Sequence, residues 1–282
     1  MNYRHAYHAG NHADVLKHAV LARIMEQLKK KAKPFRVIDA HAGIGLYDLG
    51  GAEAGKTGEW EGGIGKMAEP FSPEMEALLA PYRAVIAELN PQGGMRLYPG
   101  SPELALRMMR INDRMIANEL HPADAIALER HYIHDQRVDV SSMDAEILLK
   151  AKLPPPERRG VVLIDPPYEL KNEAEKSVRM LTHAMHRFPQ GIYVLWYPLK
   201  ADQTSDTVLQ LVKDLGIPAS LRVEMRVREA FSAGGLAGSG LAIVNTPWKL
   251  DQELRLLVPA LAARLGLGQW GKATVEWLAK PV

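Results

Sequence analysis

"VVLIDPPYE", residues 161–169, is the stretch that decides the fold. Val161 to Ile164 are aliphatic without interruption, so this strand is covered on both faces, as in a parallel sheet. Asp165-Pro166-Pro167-Tyr168 follows at its C-terminal end, where two prolines stop the strand and stiffen the turn. Open α/β sheets bind their ligands in the crevice outside that end of the strands. A carboxylate next to a rigid carbonyl has a specific use there. Asp165 and the Pro166 carbonyl can each accept one hydrogen of an exocyclic aromatic amine. The nitrogen lone pair, otherwise delocalised into the ring, is then freed to attack an electrophile such as a methyl sulfonium. Tyr168 is placed to stack on the base, a contact worth roughly 1–3 kcal/mol. Orientation of the reactants supplies about 7–11 kcal/mol of such a barrier.

Outward from this strand, helical and extended patterns alternate. Residues 13–31 carry Val15, Leu16, Ala19, Val20, Ile24 and Leu28 at helical spacing. Val37-Ile38 then leads into the turn "DAHAGIG". Residues 50–66 are rich in glycine and read as a loop, and 72–90 read as helical, bent around Pro81. "GSPELALRMMR" opens a helix with Ser101 as its candidate N-cap. The strands "DRMIANEL", "RVDVSSMD", "GVVLIDPPY" and "GIYVLWYPL" are each followed by a helical stretch, the last two around 171–187 and 202–215. "LRVEMRVRE" and "GLAIVNTPW" close the series as two strands joined by "FSAGGLAGSG". This predicts an α/β fold, a Rossmann-like doubly wound sheet with a terminal antiparallel hairpin. Residues 1–49 and 96–282 form the main domain, with 1–18 closing over the site and 50–95 as a small helical insertion.

Composition narrows the chemistry. The 282 residues are 47% hydrophobic and 24% charged, as in an ordinary globule. The absence of cysteine excludes disulfides, thiolate zinc sites and a cysteine nucleophile. No apolar run approaches the roughly 20 residues that span a bilayer, and no signal peptide is visible. A cytoplasmic protein without membrane contact is expected. A net charge of +2 is too small to point to nucleic acid by itself. The run "KKKAK" (29–33) and Arg222, Arg226 and Arg228 are candidate phosphate contacts.

A methyl-donor site needs more than the amine-activating turn. Gly43 and Gly45 let the backbone approach a ligand after the first strand. Glu119, ending "ANEL", is placed to chelate ribose hydroxyls. It lies far beyond the ~20 residues of a simple Rossmann unit, and the insertion accounts for the excess. Asp144, in "SSMDA", is placed to meet an adenine amine, and Asp39 is either structural or faces the cofactor amine. A nicotinamide site is disfavoured, because Tyr47 and Asp48 stand where the third glycine of the dinucleotide turn would fall. "IVNTPW" (243–248) imitates the amine-activating string, but Thr246 breaks the proline pair. Trp248 reads mainly as packing, with a secondary reading as part of a substrate groove.

The N-terminus "MNYRHAYHAGNHADVLKH" holds His5, His8, His12 and His18 beside Tyr3, Tyr7 and Lys17. A histidine-metal hydrolase would use these four, with His8 and His12 sharing a helix face. Gly10 between them is a poor helix residue. A non-catalytic RNA-binding module is a further alternative.

Taken together, "YRHAYHAGNHADVLKH", "DAHAGIG", "YPGSPE", "ERRGVVLIDPPYE", "LWYPLK" and "PWKL" make the chain resemble the RlmJ family over essentially its whole length. The resemblance implies a monomeric class I methyltransferase that uses S-adenosylmethionine, releases S-adenosylhomocysteine and needs no metal. Its implied product is N6-methyladenine in 23S ribosomal RNA, at adenine 2030. His18, His41, Ser101, Glu119, Asp144, Ala145 and Asp165 would line the cofactor site. Asp165, with Pro166 and Tyr168, would be catalytic. Tyr3, His5 and Lys17 would join Tyr168 over the target adenine. Ala145 stands where a glycine is expected, which is tolerable if only its backbone N–H is used. Thr246 stands where the family has a second proline. A DNA adenine-N6 methyltransferase uses the same string, whereas protein glutamine methyltransferases carry Asn in place of Asp165.

Overall fold

The computed structural model describes residues 4–229 and 235–281. A first helix, α1 (His12–Lys29), runs into β1 (Arg36–Asp39). Next come β2 (Leu46–Asp48), α2 (Ala52–Thr57), α3 (Pro73–Leu89) and β3 (Leu97–Pro99). After α4 (Ser101–Met108), strands and helices alternate as β4 (Arg114–Asn118), α5 (Pro122–Tyr132), β5 (Val138–Ser141), α6 (Ala145–Lys152), β6 (Gly160–Ile164), α7 (Glu173–Arg187), β7 (Ile192–Leu199) and α8 (Thr204–Asp214). The chain ends with β8 (Ser220–Arg226), β9 (Gly238–Val244), α9 (Leu250–Leu265) and β10 (Lys272–Ala279).

One sheet carries the molecule, in the order β10-β8-β9-β7-β6-β1-β4-β5. β5, β4, β1, β6 and β7 are parallel neighbours, while β9, β8 and β10 continue the sheet by antiparallel pairing. Ile38 of β1 sits between Ile116 of β4 and Val162 of β6, all fully buried. From β1 the chain winds outward to β4 and β5, then returns to β6 on the other side. The C-terminal ends of β1 and β6 therefore flank the switch point, where a crevice opens. The doubly wound Rossmann-like sheet with its antiparallel end is thus as the alternation predicts.

Helices cover both faces. α1, α3, α4 and α9 pack over one apolar cluster, and α6, α7 and α8 over the other. α1 is buried nearly all round, because α3, α4, α9 and the sheet surround it. Its start is set by Asn11, whose side-chain oxygen accepts the N–H groups of Ala13 and Asp14 at 2.9 and 3.1 Å. The helix thus begins at His12, and Lys17 and His18 lie within it.

Other expectations need correction. α3 runs unbroken through Pro81, held by the buried residues Met75, Leu79, Tyr82, Val85, Ile86 and Leu89 on either side of the proline. The stretch 50–66 is not only loop: α2 and two 3₁₀ turns, Glu59–Gly62 and Ile64–Met67, lie at or near it. Gly100 precedes α4, and Ser101 is its first residue rather than its cap. α9 and the edge strand β10 were not expected. Among the described residues no helix is long and apolar enough to cross a membrane.

Candidate active site

Each strand that ends at the switch point delivers one polar group. Asp165 follows β6, and its backbone N–H donates to His41 Nδ1 at 3.1 Å. His41 follows β1. Burial pushes its pKa down to about 4, so the ring is neutral at pH 7 and Nδ1 is the bare nitrogen. Glu119 follows β4 and accepts the N–H of Gly43 at 2.9 Å and that of His121 at 2.8 Å, one on each oxygen. Burial raises its pKa above the ordinary value, against those two bonds. Asp144 caps α6, with Oδ1 accepting from the Glu146 and Ile147 N–H groups, and Ala145 is the first helical residue. Asn118 ties these ends together, donating to the carbonyls of Ala40 and Met143 and accepting the Met143 N–H.

The glycine turn is built for close approach. Gly43 has φ +61°, and a Cβ there would stand 2.2 Å from Tyr47 Oη. Gly45 has φ +85°, with Tyr132 Oη 2.8 Å from its virtual Cβ. Neither position tolerates a side chain, which keeps the Gly43 N–H beside Glu119.

The N-terminal segment folds over this end of the sheet. Lys17 Nζ donates to Asp165 Oδ2 at 2.5 Å and lies 3.0 Å from Asp14 Oδ1. Asp14 Oδ2 accepts from His5 Nε2 at 2.8 Å and from the Gly10 N–H at 2.9 Å. Burial opposes both charges, but each outweighs it for the other. Asp14 and Asp165 hold Lys17 well above the ordinary lysine value, while His5, Lys17 and His18 hold Asp14 well below the carboxylate range. Arg4 adds ion pairs to Glu53 and Asp124 at 2.9 and 3.1 Å. Asp14 is a residue the sequence reading missed. Its spacing of three from Lys17 was the available signal, since such a pair shares a helix face.

A cavity of about 740 Å³ opens here. Asp165, Pro166, Tyr168, His41, Ser101, Glu119, Asp144, Ala145, His5 and Lys17 all line it, as does Asp14. Tyr168 has φ +49°, donates its hydroxyl to the Trp196 carbonyl at 2.9 Å and meets the Trp196 ring edge-on. Ser101 donates to Asp39 at 2.6 Å, and the His41 N–H also donates to Asp39. Asp39 is buried, with burial raising its pKa to about 6. It is not among the lining residues, so of its two readings the supporting one holds.

His18 is a correction. It does not line the cavity: it is fully buried, stacked on Tyr98 and hydrogen-bonded to the Tyr98 hydroxyl at 2.8 Å, because the helix turns it toward α3 and β3. Tyr3 lies outside the described residues. Trp248 is a second correction. β9 runs antiparallel to β7, so its C-terminal end lies at the opposite pole of the sheet. There Asn245 donates to the carbonyls of Pro189 and Gly191, and Trp248 is 80% exposed rather than packed, away from the cavity. The four histidines do not converge as a metal hydrolase would need. His5 goes to Asp14, His8 to Glu59 and His18 to Tyr98. Among the described residues no group of three His, Cys, Asp or Glu is arranged to hold a metal ion.

The donor set fits S-adenosylmethionine. Each Glu119 oxygen accepts one backbone N–H and retains a lone pair for a ribose hydroxyl. The crevice ends in carboxylates that suit an ammonium, a sulfonium and an exocyclic amine.

The family model described as "Ribosomal RNA large subunit methyltransferase D, RlmJ" matches residues 32–279. The chain is 41% identical over 278 residues to ribosomal RNA large subunit methyltransferase J of Escherichia coli (strain K12), covering 99% of each. It is 39% identical over 282 residues to the protein of that name from Haemophilus influenzae, again covering 99% of each. Among solved structures it is similar to protein LPL1258 of Legionella pneumophila, with 32% identity and a TM-score of 0.86 over 95% of this chain and 98% of that one.

Proposed function

Because the chain belongs to the RlmJ family of ribosomal RNA large-subunit methyltransferases, we propose that it methylates the exocyclic N6 of an adenine in 23S ribosomal RNA, adenine 2030 by resemblance. The observation that carries the amine chemistry is Asp165, set at the switch-point end of a fully buried strand and followed by two cavity-lining prolines. We further read residues 50–95 as a helical insertion subdomain and 1–18 as the cap of the site.

S-adenosylmethionine would supply an electrophilic methyl group, the N–C bond forming as the S–C bond breaks, with S-adenosylhomocysteine as the second product. Glu119 would hold the ribose hydroxyls, Asp144 and the Ala145 N–H would meet the adenine ring, and Ser101 and His41 would flank the amino-acid end. Asp165 Oδ1 and the Pro166 carbonyl each accept one hydrogen of the target N6. Among the described residues nothing donates to that oxygen, because Lys17 holds Oδ2. One amine proton can leave through Asp165 to solvent after attack. Tyr168 offers its ring to the base, with its hydroxyl anchored on Trp196. His5 closes over the base from Asp14, and Tyr3 is assigned to the same cap from sequence. The family resemblance implies that it acts as a monomer.

Radiolabelled methyl transfer to transcribed 23S ribosomal RNA and to duplex DNA tests this reading. Label at N6 of adenine in the RNA is expected. Label in the DNA alone would make the protein a DNA adenine-N6 methyltransferase, and an unmethylated RNA would overturn the proposal.

A further inference from the structure

The pole of the sheet opposite the cavity carries groups that the methyl-transfer site does not use. Of the cations singled out in the sequence, Arg222 is taken by Glu224 at 2.7 Å and Lys29 by Glu26 at 2.8 Å. Lys31 and Lys33 are exposed, and their side chains have no partner among the described residues. Their loop is held in place. Arg110 donates to the carbonyls of Lys31, Ala32 and Lys33 at 3.0, 3.3 and 3.2 Å, and Arg159 donates to those of Leu28 and Lys33. These bonds fix the backbone and leave both lysine side chains in solvent. Beside the loop, a hollow of about 380 Å³ at the N-terminal ends of β1, β4 and β6 is lined by Lys33, Arg36, Arg114 and Glu157. Arg36 and Arg114 are direct partners across β1 and β4, so their side chains leave the same face of the sheet. One carboxylate serves the two: Glu157 pairs with Arg36 at 3.0 Å, while Arg114 donates to the carbonyls of Ile111 and Asp113. Lys33 and Arg114 therefore bring uncompensated positive charge to one hollow.

Trp248 stands on the same pole. Val244, the last residue of β9, pairs with Tyr193, Tyr193 with Val162, and Val162 with Ile38. Three strand spacings, about 14 Å, separate the end of β9 from β1. The helices on this side are also tied together. Lys30 Nζ donates to Gln27 Oε1 at 2.8 Å, Gln27 Nε2 to Glu253 Oε1 at 3.1 Å, and the Glu253 N–H to the Lys249 carbonyl at 3.1 Å. Trp248, just before Lys249, is 80% exposed. Its segment is bracketed by Asn245 and Lys249, left-handed at φ +56° and +65°, and Asn245 is anchored on the carbonyls of Pro189 and Gly191. An indole held out to solvent near unpaired cations is the combination that binds single-stranded nucleic acid, the base on the ring and the phosphates on the cations. Glu26, Asp113, Glu157 and Glu253, which adjoin these groups, are each paired with a cation, so none is left bare to repel phosphate.

We propose that this pole is a second docking surface for the ribosomal RNA, with Trp248 stacked on an unpaired base and Lys31, Lys33 and Arg114 on backbone phosphates. The inference rests on the RNA-methyltransferase reading and gives its substrate a surface outside the cavity. α1 runs from the cavity to this pole over 18 residues, roughly 27 Å at 1.5 Å per residue. A long RNA can reach both.

The test measures binding of transcribed 23S ribosomal RNA, and methyl transfer to it, by the full chain across a salt series. Lys31→Gln/Lys33→Gln is expected to raise KM about tenfold at low salt. It should also flatten the log–log salt dependence of binding by about 1.4–1.8, two phosphate contacts at roughly 0.7–0.9 each. Lys31→Arg/Lys33→Arg keeps both. Trp248→Ala raises KM about tenfold with the slope unchanged, and Trp248→Phe restores most of the loss. In every variant kcat and S-adenosylhomocysteine affinity stay as in the unaltered protein, since only uniform binding is removed. An unchanged KM and slope for the lysine variant overturns the proposal and leaves those charges as a complement to the carbonyl end of α1. An equal loss from Lys213→Gln/Lys280→Gln, which removes the same charge elsewhere, overturns it too. An unchanged KM for Trp248→Ala strikes the stacked base from it. Failure of the function reading is distinguishable, since the unaltered protein would then methylate no ribosomal RNA while RNA binding still responded to these variants.

Discussion

At the scale of single residues, the site turns on two carboxylates that share one lysine. Asp165 faces the cavity and Asp14 is buried behind it, and Lys17 bridges them at 2.5 and 3.0 Å. Replacing Asp165 with Ala removes the acceptor for the amine. Methyl transfer should fall about 10²–10⁴-fold with S-adenosylhomocysteine binding still measurable by calorimetry. Retained activity would remove Asp165 from the mechanism. Asp14→Ala acts differently. It leaves Lys17 with one carboxylate and strips His5 and the Gly10 N–H of their acceptor. Breaking a buried ion pair on one side costs about 3–5 kcal/mol, so denaturant unfolding should show a loss of that order. A loss below about 1 kcal/mol, the range of exposed pairs, would show that Asp14 is not the hub of the cap. The Asp165–Tyr168 string was legible in sequence because its residues are contiguous. Asn118 was not, because its partners Ala40 and Met143 follow other strands, and the importance of Asp14 was not, because it comes from Lys17 meeting the sequence-distant Asp165.

At the scale of elements, the glycine turn and the N-terminal segment are the parts that position ligands. Gly43→Ala forces a left-handed φ on a side chain, at roughly 1–2 kcal/mol, and pushes Tyr47 away. The Gly43 N–H then leaves Glu119. S-adenosylhomocysteine affinity should fall about tenfold, in line with a lost charge-assisted hydrogen bond; unchanged affinity would separate this turn from cofactor binding. Deleting residues 1–8 removes the His5 contact to Asp14 and the Arg4 pairs to Glu53 and Asp124. Transfer should be abolished while circular dichroism keeps the signature of the intact sheet. An active truncated protein would mean that the segment is only a tail. Strand placement was legible from unbroken apolar runs such as residues 161–164. β10 was less legible because it is half-exposed along an edge and lacks an unbroken apolar run.

At the scale of the whole molecule, packing sets the response to pH. His12, His18 and His41 are held neutral by burial, at about 4, 3 and 4. Each is depressed below the unfolded value, so its stabilising contribution is complete above about pH 6.5 and is lost as pH falls toward the folded values. Asp39, raised to about 6, acts in the opposite sense: the folded state holds its proton more tightly, which favours folding as pH falls below 6. Glu119 and His8, also raised, act in the same sense as Asp39, and the three strongly depressed rings outweigh them. Calorimetric Tm should drop by at least about 5 °C between pH 7 and pH 5, at roughly 2–4 °C per kcal/mol for a chain of this size. A flat Tm would show that these rings titrate normally. The sequence by itself determined the strand-helix alternation, the Asp-Pro-Pro-Tyr turn and the acids at the strand ends, since each is written in neighbouring residues through period and turn chemistry. Only the tertiary structure decided that His18 turns into the core while Lys17 turns onto Asp165, that Ser101 holds Asp39 instead of capping a helix, and that Trp248 sits at the far pole. Those outcomes depend on which faces of α1, α4 and β9 meet the rest of the chain, and long-range packing alone sets them.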